Sequence, residues 1–347
     1  MTDELVRLVQ VWDGQGVYMK YDKPTDTWFF IALHNPTLGI MAGGCRMKVY
    51  PTPADGLRDA MRLGRGMTHK WAAIDFHYGG GKSVIALSRP IEGKEREALL
   101  RRFGRMLRSL NGAYSTGVDL GTSPEDMAIV REEGKYVFGG EGHEDPGPYT
   151  ALGVFSCIKT TARHALGSND LTGVSVLIQG VGDVGEPLAR MLTEAGATLI
   201  LSDLDQARAS KLAAELGGTT VDPDKVPDTE CDILAPSAIG ATLNSTTIPR
   251  LRCRAVAGSA NNQLEEDADA QRLHERGILY APDYIVNAGG AMAFALFHEG
   301  KLSGEEVKDR IRKIGDSLDR ILGEAKERNE SPVHAATKRV EQVLAHH

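Results

Sequence analysis

VSVLIQGVGDVGEPLARMLTEAGATLILSD, residues 174–203, joins a short apolar run to a glycine-rich turn, a helical stretch and a second apolar run ending in an acid. The run VSVLIQ leads straight into Gly180-Val181-Gly182-Asp183-Val184-Gly185, and EPLARMLTEAG follows. A G-x-G-x-x-G pattern alone is a weak signal. With a strand before it, a helix behind it and Asp203 about 20 residues further on, it reads as the dinucleotide-binding turn of a doubly wound α/β domain. The first glycine permits the tight turn, the second lets a pyrophosphate approach, the third lets helix pack on strand, and the helix N-terminus meets the negative charge. A carboxylate at Asp203 accepts hydrogen bonds from a ribose 2′-hydroxyl and repels a 2′-phosphate, which favours NAD; the nearby Arg208 keeps NADP open. The competing reading is a glycine-rich turn in a domain that binds no nucleotide, and the matched context speaks against it.

Outward from this turn, the short apolar runs VSVLIQG, ATLILSD, DILAPS, AVAGS and ILYAPD alternate with helical stretches. That alternation predicts a parallel sheet with helices on both faces. Residues 146–325 are therefore expected to form a doubly wound Rossmann NAD-binding domain that opens with a long helix from about Thr150 to Leu166. Residues 1–145 read as a separate α/β domain for substrate binding, catalysis and oligomerisation, with strand-like runs WFFIALH and SVIAL. Its clearest helix starts at Thr52 as cap, with Pro53 in the first turn and Asp55 at the capping-box position. Leu57, Met61, Gly64, Met67 and Trp71 share one face of that helix, and Lys70 lies at its C-terminal end. The Gly/Pro-dense segment 139–149, GGEGHEDPGPY, is the expected hinge. The chain from about Ser303 is helical and charged, and 326–347 is expected to pack back on the first domain.

The composition of the 347 residues, 41% hydrophobic and 25% charged with net charge −7, is that of a globular protein without an electrostatic footprint for nucleic acid or a membrane surface. Cys45, Cys157, Cys231 and Cys253 are scattered, with no C-x-x-C and no metal spacing, so neither zinc nor a disulfide framework is indicated. The acidic start lacks the basic and apolar regions of a signal peptide, and no apolar run is long enough to cross a bilayer. A cytoplasmic protein handling a small molecule is the expectation.

HYGGGKSVIAL, residues 77–87, imitates a phosphate loop, but the glycine such a loop needs is Phe76, and SVIAL reads as a strand where a helix should open. The stretch instead supplies Lys82 behind three side-chain-free residues. Lys70 and Lys82 could bring two ammonium groups to one site, where repulsion and burial favour loss of one proton. The neutral lysine is then a base, the charged one pairs with a substrate carboxylate, and Asp119, among small residues, shuttles a proton. Taken singly, each lysine reads as a solvated surface cation.

Over nearly the whole chain the sequence resembles the amino-acid dehydrogenase family that includes leucine, valine, phenylalanine and glutamate dehydrogenases, and is most similar to leucine dehydrogenase. The motifs that carry this are LGIMAGGCRM, GLRDAMRLGRGMTHK, GGGKSVIAL, TGVDLGTSPEDM, TALGVF, QGVGDVG, CDILAPS, AGSANNQL and GILYAPDYIVNAGG. The resemblance implies reversible oxidative deamination, with Lys82 activating water and Asp119 as proton-transfer partner. It implies that Lys70 and Asn261 hold the substrate α-carboxylate and that Thr150 and Asn287 face the nicotinamide amide. Ala238 and Asn262 join Gly180, Gly182, Asp183, Val184, Gly185 and Asp203 in the cofactor set. The glycines before Lys82 are expected to let substrate and cofactor crowd against it. A homo-oligomer is expected, its size open.

Where glutamate dehydrogenases carry a lysine by the paired glycines, this chain has Ala42 before Gly43-Gly44, so a side-chain carboxylate would be buried unpaired and an apolar substrate is favoured. Gly43, Ala42, Met67, Ala291 and Phe294 are the residues implied around the substrate. Overall similarity points to leucine, valine or isoleucine, whereas Ala42 and Ala291 match the smaller choices of phenylalanine dehydrogenases, so phenylalanine or tryptophan stays open. One or two methylenes in such a pocket are worth only about 1–3 kcal/mol. Departures from the family pattern are Ser237 for a cysteine, Cys45 for a threonine, and His77-Tyr78 for aliphatic residues. Two other readings stand beside this one: an NAD-binding regulatory protein without activity, and an imine reductase acting on other amines.

Overall fold

The computed structural model describes residues 3–138 and 145–346 of the chain. They fall into two compact units, one of Met1–Glu144 with Phe297–Gly300 and Gln342–His347, the other of Asp145–Leu296 with Lys301–Glu341.

The first unit is built on five strands: β1 (Gly16–Asp22), β2 (Thr27–Asn35), β3 (Met41–Val49), β4 (Gly79–Leu87) and β5 (Tyr114–Val118), in the spatial order β1-β2-β4-β3-β5. Strands β3, β4 and β5 are parallel, while β1 and β2 add an antiparallel edge. The crossover from β3 to β4 is the helix Pro53–Ala73, whose capping box forms as the sequence predicts: the Thr52 hydroxyl accepts from Asp55 N and the Asp55 carboxylate accepts from Thr52 N. Leu57, Ala60 and Met61 of this helix share a core with Phe30, Ala32, Val84 and Ala86 on one side of the sheet. The other side carries Phe29, Ile31, Cys45, Met47 and Ile85 against Leu99, Phe103 and Leu107 of the helix Gly93–Ser109 and Met127 and Val130 of the helix Pro124–Glu133.

Strand β4 begins at Gly79, not at Ser83 as the sequence suggests, and all nine of its residues are buried. The glycine run belongs to the strand for a packing reason. A Cβ on Gly80 would lie 1.9 Å from the Thr68 hydroxyl oxygen, and one on Gly81 would lie 2.8 Å from the Tyr114 ring. The expectation that these glycines make room for substrate and cofactor is thereby corrected: at Gly80 and Gly81 the room is taken by the protein's own residues.

The second unit carries β6 (Ser175–Gln179), β7 (Thr198–Ser202), β8 (Thr219–Thr220), β9 (Ile233–Pro236), β10 (Ala255–Val256) and β11 (Leu279–Tyr280), all parallel, in the order β11-β10-β9-β6-β7-β8. This is the doubly wound order, and its direction reverses between β6 and β9, where dinucleotides bind. The helix before it spans Pro146–Leu166 and starts earlier than expected, because Asp145 accepts a hydrogen bond from Gly147 N and the prolines fall in the first turn, where a missing N–H costs nothing. Of the expected hinge, 145–149 is thus a helix start, while 139–144 lie outside the described residues.

The C-terminal stretch departs from its expectation as well. It forms helices Gly304–Arg312, Ile314–Arg328 and Pro332–Ala345, and all but its last residues belong to the second unit. The reason is burial: Leu318, Ile321 and Leu322 are enclosed, Gly315 O accepts from the Thr160 hydroxyl, and Val333 packs on the core formed by Leu234, Val256 and Tyr280. Only from Gln342 does the chain group with the first unit.

Candidate active site

In the first unit the chemistry gathers on the side of the sheet covered by the helix Pro53–Ala73. Side chains alternate along a strand, so with Val84 and Ala86 on that side, Lys82 points there too. Arg46, between Cys45 and Met47 of the opposite core, shares it. Lys82 Nζ lies 2.9 Å from Asp119 Oδ1, and the lysine side chain is only 6% exposed. Asp119 directly follows β5, where Val118 pairs with Cys45, and this brings it beside Arg46. Arg46 Nε donates to Asp119 Oδ2 at 2.9 Å, and Nη1 donates to Asp59 Oδ2 at 3.1 Å. The Tyr50 hydroxyl donates to the same Asp59 oxygen at 2.7 Å.

Burial alone would raise the Asp119 carboxyl, but Lys82 and Arg46 outweigh it and hold the group down at about 2. Asp59, likewise penalised by burial, is held below the usual range by the Tyr50 hydroxyl and by Arg62 and Arg46. The charges therefore alternate: ammonium, carboxylate, guanidinium, carboxylate. The sequence reading set both Lys70 and Asp119 beside Lys82, and the structure puts the Asp119 carboxylate directly on it. That reading passed over Arg46, Asp59 and Tyr50. The available signal was an arginine in an otherwise small and apolar strand segment, MAGGCRM.

Lys70 stands half-buried in the last turn of the helix. Met67 and Gly43 meet, since a Cβ on Gly43 would lie 3.1 Å from Met67 Cγ and 1.9 Å from Gly81 O. Ala42 is fully buried, and its carbonyl faces Trp71 Nε1 at 3.4 Å. His77 and Tyr78 both reach the Glu299 carboxylate, at 2.8 and 3.3 Å.

In the second unit the glycine turn follows β6. Gly180 has φ +103°, which a side chain would oppose, and a Cβ there would stand 2.6 Å from that of Ala238. Ala238 comes after β9, so the two sides of the switch point meet there. Gly185 admits no Cβ, with Gly180 O at 1.9 Å, whereas a Cβ on Gly182 would meet nothing within 4 Å. The turn is thus packed at its first and third glycines and open at the second, as a pyrophosphate requires. Asp183 and Val184 complete it, the Asp183 carbonyl facing Gly147. Asp203, at the end of β7, accepts from Val181 N at 2.8 Å through Oδ2. Arg208 is exposed and pairs loosely with Asp205. Asn287 Nδ2 donates to Asn261 Oδ1 at 2.8 Å and to Ser259 O at 3.1 Å, so these two asparagines sit together. Asn262 is exposed with φ +52°, and Ala241 N donates to its carbonyl. The Thr150 hydroxyl donates to Pro146 O and lies against Gly290. Ala291 and Phe294 are half-buried, a turn apart on the helix Gly289–Glu299. The four cysteines are buried and free, and Ser237 N donates to Gln179 O. Among the described residues no His/Cys/Asp/Glu cluster could hold a metal ion, and no helix is long and apolar enough to cross a membrane.

An α/β unit with a lysine–aspartate pair, joined in one chain to a dinucleotide unit of Rossmann order, defines the dehydrogenase class of two-domain proteins. Residues 23–136 match the family model described as Glu/Leu/Phe/Val dehydrogenase, dimerisation domain, and 139–207 and 201–346 match Glutamate/Leucine/Phenylalanine/Valine dehydrogenase. The chain belongs to this Glu/Leu/Phe/Val dehydrogenase family and is a nicotinamide-dependent enzyme acting on amino acids. It is 42% identical over 320 residues to leucine dehydrogenase of Thermoactinomyces intermedius, covering 90% of this chain and 85% of that one. It is also 42% identical over 316 residues to phenylalanine dehydrogenase of the same organism, covering 89% and 85%. The crystal structure of L-tryptophan dehydrogenase from Nostoc punctiforme superposes with a TM-score of 0.86 at 36% identity, covering 98% of each chain.

Proposed function

We propose that the chain catalyses the NAD-dependent, reversible oxidative deamination of an apolar L-amino acid, with leucine, valine or isoleucine preferred, to its 2-oxo acid and ammonia. The observation that carries this is the buried Lys82–Asp119 ion pair at 2.9 Å. NAD, held at Gly180–Gly185 and Asp203 of the second unit, supplies the hydride acceptor when bound. The protein's own part is positioning and proton transfer. Lys70 is assigned to the substrate α-carboxylate, and in the second unit Asn261, its Oδ1 taken by Asn287, keeps its amide hydrogens as donors. The Lys82 amine, in its neutral form, accepts a proton from the water that attacks the iminium carbon. Before the water attacks, with Lys82 neutral, Asp119 has one cation fewer beside it and accepts a proton from the substrate nitrogen. Once Lys82 has taken its proton from the water, Asp119 returns that proton to the nitrogen as the carbinolamine collapses and its hydroxyl proton leaves to solvent. Thr150 and Asn287 are assigned to the nicotinamide amide.

Asp203 supports NAD over NADP, since its carboxylate already accepts from the turn and would repel a 2′-phosphate. A second reading of the substrate, phenylalanine or tryptophan, is favoured by the small Ala42 and Ala291 and by the relatives that act on those amino acids. The first unit is assigned to substrate binding and homo-oligomerisation, in keeping with the dimerisation-domain match. A cytoplasmic location fits the free, buried thiols.

The test is NAD and NADP reduction, followed at alkaline pH across leucine, isoleucine, valine, phenylalanine, tryptophan and glutamate, with Lys82→Ala alongside. The reading expects an apolar amino acid to lead with NAD and the variant to be inactive while still binding cofactor. Glutamate leading, or a variant with unchanged turnover, would sink it.

A further inference from the structure

Lys82 and Asp119 do not stand alone. Arg46 bridges two carboxylates, and its side chain, 11% exposed, is at least as enclosed as theirs, at 12% and 19%. A guanidinium buried between two acids is costly to assemble, and a single lysine would already compensate Asp119. The arrangement also resolves direction. Arg46 occupies Oδ2 of Asp119 and leaves Oδ1 to Lys82, which fixes the carboxylate plane. Asp59 is fixed in turn by the Tyr50 hydroxyl and by Arg62, at 2.7 and 2.9 Å.

We propose that Arg46 and Asp59 are positioning residues that tune the Lys82–Asp119 couple. Arg46 orients Asp119 and adds a positive charge near Lys82, and Asp59 absorbs part of that charge. This rests on the deaminating role proposed for Lys82 and Asp119. The tuning has a sign. A cation near Lys82 disfavours its ammonium and favours the neutral amine that activates water, while Asp59 works in the opposite sense. Among the other ionisable groups packed about these four, Arg62 is paired with Asp59 Oδ1 at 2.9 Å. Asp126 is tied to Arg96 at 2.5 Å, and the Cys45 thiol, pushed up to about 12 by burial, is neutral. The Tyr50 and Tyr114 hydroxyls, also raised by burial, are neutral as well.

The experiment is the pH dependence of kcat/KM for the wild type, Arg46→Gln, Arg46→Lys and Asp59→Asn, each first checked for folding by thermal melting. In Arg46→Gln the alkaline rise of activity should move up by about one pH unit. In Asp59→Asn it should move down by a smaller amount. Arg46→Lys keeps the charge and loses the fork, so the rise should stay in place while kcat falls. A residue that merely packs would move neither limb. Because Asp59→Asn removes a charge without opening space, the test stands even if Arg46→Gln does not fold.

A readout independent of turnover is the 13C carboxyl titration of Asp119, assigned with Asp119→Asn. It should shift upward by about 1–3 pH units in Arg46→Gln. Shifts of the same sign in the two charge variants, or an Asp119 titration unchanged in Arg46→Gln, would overturn the proposal. If the wild type turned over no amino acid, the functional reading would fail, and the carboxyl titration would still decide whether Arg46 governs Asp119.

Discussion

Replacing Asp119 by asparagine keeps the shape of the side chain and removes its charge. In the folded protein Lys82 and Arg46 hold the carboxyl at about 2, against roughly 3.9 in an unfolded chain. A difference of nearly two units corresponds to about 2–3 kcal/mol of folding free energy at neutral pH, at about 1.4 kcal/mol per unit. For a domain of this size that is a fall in Tm of roughly 5–10 °C. The sign fixes the pH window. The folded value is depressed, so the stabilisation is fully present above the unfolded value and drains away as pH falls from about 4 to about 2. Asp119→Asn has nothing to lose there, and its stability curve should approach that of the wild type as the acid limit nears. The assay is thermal or urea denaturation of both proteins at pH 7, 5, 4 and 3. Turnover, measured in parallel, should fall by about 10²–10⁴ through loss of the proton-transfer group. A gap at pH 7 below about 0.5 kcal/mol, or one that stays constant down to pH 3, would refute the argument that the two cations hold this carboxylate.

The glycine turn yields a paired prediction. Gly182→Ala should fold with unchanged Tm, since its Cβ meets nothing within 4 Å, yet bind NAD at least tenfold more weakly by calorimetry. Gly185→Ala, with Gly180 O at 1.9 Å from the new atom, should lower Tm by several degrees before any ligand is added. Equal behaviour of the two would contradict the assignment of open and packed glycines. Asp203→Ser should remove the charge that repels a 2′-phosphate and narrow the NAD over NADP preference in kcat/KM by about tenfold or more; an unchanged ratio would mean that the discrimination lies elsewhere.

The second unit was readable because its signals are local. Each strand is a short apolar run followed at once by its turn, and Gly180, Gly185 and Asp203 lie within one β-turn-α-β unit whose geometry hardly varies. The sheet order β11-β10-β9-β6-β7-β8 then follows from right-handed crossovers. The first unit was harder. Gly79–Gly81 do not read as strand, since glycines usually punctuate, and nothing nearby in sequence announces that Thr68 and Tyr114 press on Gly80 and Gly81. Charge pairing was harder still, for a related reason. Lys82, Asp119, Arg46 and Asp59 come from β4, the end of β5, β3 and a helix, and each is an ordinary charged residue where it stands. Strand alternation can put Lys82 and Arg46 on the same side of the sheet. It cannot give the register that sets Val118 opposite Cys45 and so delivers Asp119 to Arg46. Long-range register decides which charges reach Lys82: a like charge would repel its ammonium, whereas the Asp119 carboxylate that the register delivers, 2.9 Å away, pairs with it.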